Sequence, residues 1–163
     1  PLEGRRAQCP PSPSGADRCA FFFAPNRGEE CTALRHSASS GEVARVMLAI
    51  KTVLSEVDEV PVLVFDEIDA NIGGRTALAV AEELRSVGGR HQVFSITHLP
   101  LIAAAGSQQY MVEKHAAGDR TVTAMRRLDG EERVAEIVRM LGASAADRAA
   151  VGHAREMLAD FGK

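Results

Sequence analysis

Two neighbouring carboxylates, Asp66 and Glu67, directly follow the aliphatic run Val62-Leu63-Val64-Phe65. A short, continuously apolar and β-branched run, here Val60 to Phe65, predicts a strand buried on both faces of a parallel sheet, so both acids emerge together at its carboxyl end. Between Glu56 and Asp69 there are six acids and no basic residue, a concentration of charge that a cation would relieve. Mg²⁺ suits such a tip, because this hard ion keeps several waters, bridges phosphate oxygens and needs only one or two protein carboxylates. Asp66 would then hold the metal, and Glu67 would orient a water for in-line attack. An ordinary solvated strand end has the same composition, and the run by itself does not separate the two.

Two further segments bear on the choice. Ala38-Ser39-Ser40-Gly41-Glu42 is a turn of small residues feeding a helix that starts near Glu42. Free N–H groups and the positive end of the helix dipole meet there, which makes a site for a terminal phosphate; a plain serine N-cap with an acid in the first turn is the alternative. His98, in Ser95-Ile96-Thr97-His98, comes just after the next strand. Open α/β sheets place ligands at that rim, although a structural histidine also fits.

The elements that must position these residues can be read from periodicity. Val43, Val46, Met47, Ile50, Val53 and Leu54 recur at helical spacing and predict an amphipathic helix over 42–55. Val80, Leu84 and Val87 mark a second helix that Gly88-Gly89 stops, Val93 to Ile96 is a second buried strand, and Pro100 turns the chain out of it. Strand, helix and strand at this spacing predict an α/β sheet with crossover connections. Alternation over 109–127 around Ala116-Ala117-Gly118-Asp119 predicts a hairpin. Two closing helices follow, one presenting Val134, Ile137, Val138 and Leu141 with Gly142 as C-cap, the other Val151, Ala154, Leu158 and Phe161. Phe21-Phe22-Phe23 predicts a short strand ending in the turn Pro25-Asn26-Arg27-Gly28, packed in a core or lobe interface. Residues 1–14, with Pro1, Pro10, Pro11 and Pro13, read as a tail or linker, leaving 15–163 as the domain.

Composition excludes several classes. With 163 residues, 45% hydrophobic and 25% charged, the chain is neither disordered nor collagenous, and it has no apolar run long enough to span a membrane. A formal charge of −3 gives no global case for nucleic-acid binding, and Arg75, Arg126, Arg127, Arg133 and Arg139 read as solvated faces. Cys9, Cys19 and Cys31 are too widely spaced for a zinc knuckle and read as free thiols; His36, His91, His115 and His153 form no ligand spacing with them. A cytosolic location is expected. The sequence opens on Pro1, as a fragment, a processed form or an open-ended translation would.

The order of these motifs resembles the ABC-type ATPase heads of the SMC-like genome-maintenance proteins, and most closely a bacterial DNA-repair branch of that family. The resemblance runs from about Gly15 to the end. It is carried by Gly15-Ala16-Asp17, Phe23-Ala24-Pro25-Asn26, Phe65-Asp66-Glu67-Ile68-Asp69-Ala70, Thr97-His98-Leu99-Pro100, Met140-Leu141-Gly142 and His153-Ala154-Arg155-Glu156. It implies the C-terminal lobe of a P-loop NTPase head, α/β with a mostly parallel sheet, flanking helices and a hairpin, incomplete without an N-terminal lobe. ATP and Mg²⁺ are the implied cofactors.

By resemblance, Ser39, Ser40, Gly41 and Glu42 form the signature segment that grips ATP held by an opposing head. Asp66 sits by Mg²⁺, Glu67 polarises the attacking water, His98 contacts the γ-phosphate, and Ala70-Asn71-Ile72-Gly73 is the D-loop crossing the same interface. The implied partners are the N-terminal lobe of the same protein, a second head in an ATP-bound homodimer, and DNA in double-strand break repair; no membrane partner is implied, and the implied location is cytoplasmic, at the nucleoid. Two residues depart from the pattern: Ser40 and Asn71 each replace a glycine. Ser40 places a hydroxyl near the phosphate, whereas Asn tolerates left-handed backbone. The phosphate loop G-x-x-x-x-G-K-[ST] is absent, for the only lysines are Lys51, Lys114 and Lys163. Alone, the chain is expected to bind ATP poorly and hydrolyse almost none. A non-catalytic, degenerate docking module is the alternative; a transporter's ATP-binding subunit would carry proline where Ile68 stands.

Overall fold

The computed structural model describes residues 13, 15, 20–24, 28–34, 39–117 and 120–162. They belong to two compact units, Pro1–Ser39 and Ser40–Lys163. Most of the proposed Pro-rich tail, the turn residues 25–27, His36, Cys9 and Cys19 lie outside the described residues. Cys31 is an exposed free thiol.

In the first unit, β1 (Phe22–Phe23) pairs antiparallel with β2 (Thr32–Ala33), and the ladder continues through the Leu34 N–H to the Phe21 carbonyl at 2.9 Å. Phe21 and Phe22 are 61% and 65% exposed, so neither is a core residue.

The second unit runs α1 (Ser40–Leu54), β3 (Val62–Phe65), α2 (Gly74–Gly88), β4 (Gln92–Ser95), α3 (Pro100–Ala105), β5 (Gln109–Ala117), β6 (Arg120–Leu128), α4 (Glu131–Met140) and α5 (Arg148–Phe161). β3 and β4 pair in parallel, Val62 opposite Gln92 through Phe65 opposite Ser95, with α2 as the crossover that a parallel pair requires. Leu63 and Phe65 point into a core completed by Leu48 of α1, Val80, Leu84 and Val87 of α2, and Ile102 and Ala105 of α3. A second cluster joins Ala104 to Val134, Ile137 and Val138 of α4 and to Ala154 and Met157 of α5.

Three expectations need correction. β3 is buried on one face only, and β4 is not a buried strand: Val62, Val64, Phe94 and Ile96 are exposed, Val64 by 66%. The physical reason is that α1, α2 and α3 all pack on the Leu63–Phe65 side, so among the described residues the other side has no cover. Among the described residues the parallel sheet is two strands wide, and the hairpin forms a separate antiparallel pair. In α1 the apolar stripe does not face the core. The helix buries Gly41 and Leu48, whereas Val43, Met47, Val53 and Leu54 are exposed.

Pro100 begins a helix as well as ending the strand region. It stands in the first turn of α3, where a missing N–H costs nothing. The hairpin pairs Gln109 with Leu128 at its root through Ala117 with Arg120; in β6 every residue is exposed except Leu128. α4 closes as a Schellman motif: Gly142 (φ +73°) donates to the Arg139 carbonyl at 3.0 Å, and Ala143 donates to the Val138 carbonyl at 3.1 Å. Asp147 caps α5, accepting from the N–H groups of Ala149 and Ala150 at 2.9 and 3.2 Å. No helix among the described residues is long and apolar enough to cross a membrane.

Candidate functional site

At the end of β3 the chain turns sharply. Ile68, fully buried, pins the turn to the core, while Asp66 and Glu67 remain at the surface. Glu67 and Asn71 both adopt left-handed backbone, with φ +56° and +58°. For Asn that is a common conformation; for Glu it is strained and needs support from its surroundings. The support is visible: the Glu67 N–H donates to Asp66 Oδ1 at 2.9 Å, and the Ala70 N–H closes a turn on the Glu67 carbonyl at 3.0 Å.

The start of α1 is docked on this loop. Gly41 is buried, and a Cβ built there would stand 2.9 Å from both Ala70 Cβ and the Glu67 carbonyl oxygen. Only glycine permits that approach. One turn later on the same helix face, Arg45 Nη1 donates to the carbonyls of Ile68 and Ala70, each at 3.1 Å. Ser40 Oγ donates to Glu67 Oε2. The serine-glycine turn therefore engages the acidic loop of its own chain, and Ser40 meets the carboxylate expected to handle water. Glu42 is half-buried in the first turn of α1, and Ser39, exposed, is the last residue of the first unit.

Asp69 connects the loop to the segment after β4. Its carboxylate is buried and accepts at Oδ2 from the Thr97 hydroxyl at 2.5 Å and from the His98 N–H at 2.8 Å, and the His98 ring lies beside it with Nδ1 at 3.0 Å. Thr97 Oγ1 in turn accepts from the Leu99 N–H at 3.0 Å. Burial pushes the Asp69 carboxyl upward. The hydrogen bonds from Thr97 and the His98 N–H, together with the His98 charge, outweigh that and hold it below the ordinary aspartate value. The His98 ring itself is 74% exposed.

Serine, glycine, both acids, Asn71 and His98 are thus carried by three segments that meet around one loop. Sequence reasoning missed the residues that join them: Arg45, Asp69 and Thr97. Arg45 lies four residues after Gly41, one helical turn on, and Asp69 and Thr97 belong to the quoted motifs without a role having been assigned to them. Among the described residues no group of three His, Cys, Asp or Glu could hold a metal. Asp66, an exposed carboxylate with one oxygen turned to a backbone N–H, suits an ion that takes its remaining ligands from phosphate and water, and no protein-only cage is present.

Several of the remaining candidates have partners within the chain. Arg126 pairs with Glu132 at 2.8 Å, Arg127 with Asp129 at 3.1 Å and Arg139 with Glu136 at 2.7 Å, while Arg133 donates to the Gly106 carbonyl at 2.7 Å. His91 is buried with Nδ1 at 2.7 Å from the Val60 carbonyl.

No protein-family model matches the chain. By sequence the chain is a relative of bacterial DNA repair proteins. Those relatives carry one name, RecN: the protein from Treponema pallidum (strain Nichols) is 47% identical over 146 residues, 90% of this chain and 26% of that protein. RecN from Deinococcus radiodurans is 46% identical over 149 residues (91% and 26%), and RecN from Streptomyces coelicolor is 40% identical over 146 residues (90% and 26%). The chain is homologous to the C-terminal part of RecN and spans about a quarter of the length of the curated relatives it matches. A solved structure described as "Structural biochemistry of ATP-driven dimerization and DNA stimulated activation of SMC ATPases" aligns with a TM-score of 0.48 and 18% identity, covering 83% of this chain and 86% of that one. That likeness is too distant to bear on function.

Proposed function

We propose that this chain is the C-terminal lobe of a RecN-like, SMC-type ATPase head, acting in DNA double-strand break repair and completed by a lobe that carries the phosphate loop. The observation that carries this reading is the convergence of Ser40-Gly41, Asp66-Glu67 and Thr97-His98 around the loop after β3, in a chain that has no Gly-Lys-Ser/Thr of its own. Homology to RecN supports the repair context.

In this reading Asp66 contributes a carboxylate to Mg²⁺, which when bound neutralises charge on the phosphate oxygens. Glu67 holds a water in line with the terminal phosphate, and the strained backbone at Glu67 sets where its carboxylate can reach. His98 presents its exposed ring to the same phosphate. Ser39, Ser40, Glu42 and Asn71 face a nucleotide held by a second head, so two copies close around ATP; Gly41, expected in that set, is instead buried against the acidic loop of its own chain and sets how closely the turn approaches it. Ser40 must then release Glu67 before either acts, so the Ser40–Glu67 hydrogen bond belongs to the resting lobe. The open face of β3 and β4, bearing Val62, Val64, Phe94 and Ile96, is the surface that the missing lobe covers.

The test is to co-express this chain with the N-terminal part of the same protein and measure Mg²⁺-dependent ATP turnover. Turnover in the assembled head, lost by about two or more orders of magnitude in Glu67→Gln, is the expected result. The Ser40–Glu67 contact also admits a second reading, a docking module whose signature serine has been recruited to bind its own loop. Stable assembly with no turnover in the unmodified protein would establish that reading instead.

A further inference from the structure

We infer that a second ligand site, a cleft walled by α2, α3, α4 and α5, binds a small phosphate monoester. The cleft has a volume of about 300 Å³, and Arg85, Arg133 and Ser107 line it together with Leu158 and Phe161. It shares no residue with the acidic loop or the His98 segment. Both guanidiniums are anchored on the end of α3 and the turn after it. Arg133 Nη2 donates to the Gly106 carbonyl at 2.7 Å, while Arg85 Nη1 reaches the Ala105 carbonyl at 3.5 Å and donates to the Phe161 carbonyl. Arg85 also stands over the Phe161 ring, 5.9 Å from its centre. Neutral carbonyls orient these cations without cancelling their charge, and among the described residues no acid lines the cleft. A guanidinium has five N–H donors, so it can hold a carbonyl and an anion together.

Arg133 is the residue that calls for an anion. It is half-buried, not a solvated arginine, and its Nε is shut off from water with no hydrogen-bond acceptor among the described residues. Burial pushes its guanidinium below the ordinary value, and the Asp129 charge opposes that only in part. An anion seated against the same fork would offset this cost, in surroundings drier than bulk water where a charge-assisted hydrogen bond is worth more. Phosphate suits the walls better than carboxylate does. A phosphate monoester brings three terminal oxygens and close to two negative charges at neutral pH, enough for two guanidiniums and the Ser107 hydroxyl. A carboxylate brings two oxygens and one charge. Leu158, Phe161 and Ala104 leave an apolar wall for a small organic body, and the volume stands at the lower end of ligand clefts.

The experiment titrates phenyl phosphate into the ¹⁵N-labelled chain at constant ionic strength and follows the arginine Nε–H signals by NMR, with affinities from calorimetry. The Arg133 signal is assigned by its loss in Arg133→Lys. A saturable shift of that signal is the expected result. Benzoate should bind more weakly by about tenfold, inorganic phosphate should also bind more weakly for want of an apolar body, and benzyl alcohol should leave the signal in place. Arg85→Met, and Arg133→Lys, which keeps the charge but loses the fork, should each weaken phenyl phosphate by about 10- to 100-fold. Arg75→Met, which removes an exposed arginine outside the cleft, should not. An Arg133 signal that stays still, or that moves equally with chloride, overturns the site in the unmodified chain whether or not the variants fold. Equal weakening by Arg85→Met and Arg75→Met overturns it too, and benzoate binding as tightly as phenyl phosphate overturns the assignment to phosphate. Binding is read without ATP or the N-terminal part, so a head without turnover leaves this site standing.

Discussion

At the scale of single residues, Gly41 and Asp69 fix the site more firmly than the side chains that first draw attention. Gly41→Ala should destabilise the domain by about 1–3 kcal/mol, because the new methyl meets backbone at the Glu67 carbonyl as well as Ala70 Cβ, and backbone cannot step aside cheaply. The midpoint of urea unfolding measures it. Asp69 makes stability depend on acid. Its folded carboxyl titrates below the ordinary value of 3.8, so its hydrogen bonds contribute fully above that pH and are lost as pH falls through the lower folded value. Asp58 has the same sign, through its hydrogen bond and ion pair with Lys51 and the Val60 N–H. Thermal unfolding followed from pH 6 down to pH 3 should therefore show a fall below about pH 4 that is smaller in Asp69→Asn. The sequence announced the acids and the histidine through their place after aliphatic runs. It could not announce that Oδ2 of Asp69 would be the point where the loop and the His98 segment meet, because that depends on two strands lying side by side. Gly41 was legible as glycine in a phosphate-type turn. Its packing role against Ala70 was not, because the contact spans almost thirty positions of chain.

Among the elements, α1 is legible in the sequence as a helix, whereas its orientation is not. The spacing of Val43, Met47, Val53 and Leu54 is helical, and a helix forms, but Leu48 and Gly41 are what it buries. The hydrophobic period predicts a face and says nothing of which neighbour will take it. What fixes α1 to the acidic loop is a polar clamp, Arg45 on the carbonyls of Ile68 and Ala70. Arg45→Met keeps the apolar stem and removes both donors, so it should cost about 1–3 kcal/mol and speed backbone amide exchange across residues 66–71 more than in α4 or α5. α3 was missed for the opposite reason. Pro100 reads equally as the end of a strand and as the first turn of a helix, and only the apolar Ile102 and Ala105, seated in the core, decide between them. The closing helices were legible because their apolar stripes recur at helical spacing and Gly142 stops the first of them; the Asp147 cap of the second was not read.

On the scale of the whole molecule, the second unit is built around a sheet with one covered and one bare side. A strand that is continuously apolar was read as buried twice over, and the second burial is what an additional lobe would supply. Replacing Val64 and Phe94 by lysine should leave the fold of the lone chain intact, since both side chains are exposed, and should abolish co-purification with the N-terminal part. Unimpaired assembly of that double variant would place the missing lobe elsewhere. The β5–β6 ribbon presents a different situation. From Arg120 to Arg127 its return strand has no buried residue, and only Leu128 and Gln109, at the root, are sealed against the body. A two-stranded ribbon wetted on both sides is marginal by itself in water. Its backbone amides should therefore exchange with solvent sooner between Arg120 and Arg127 than those of α2, whose inner face is sealed in the core.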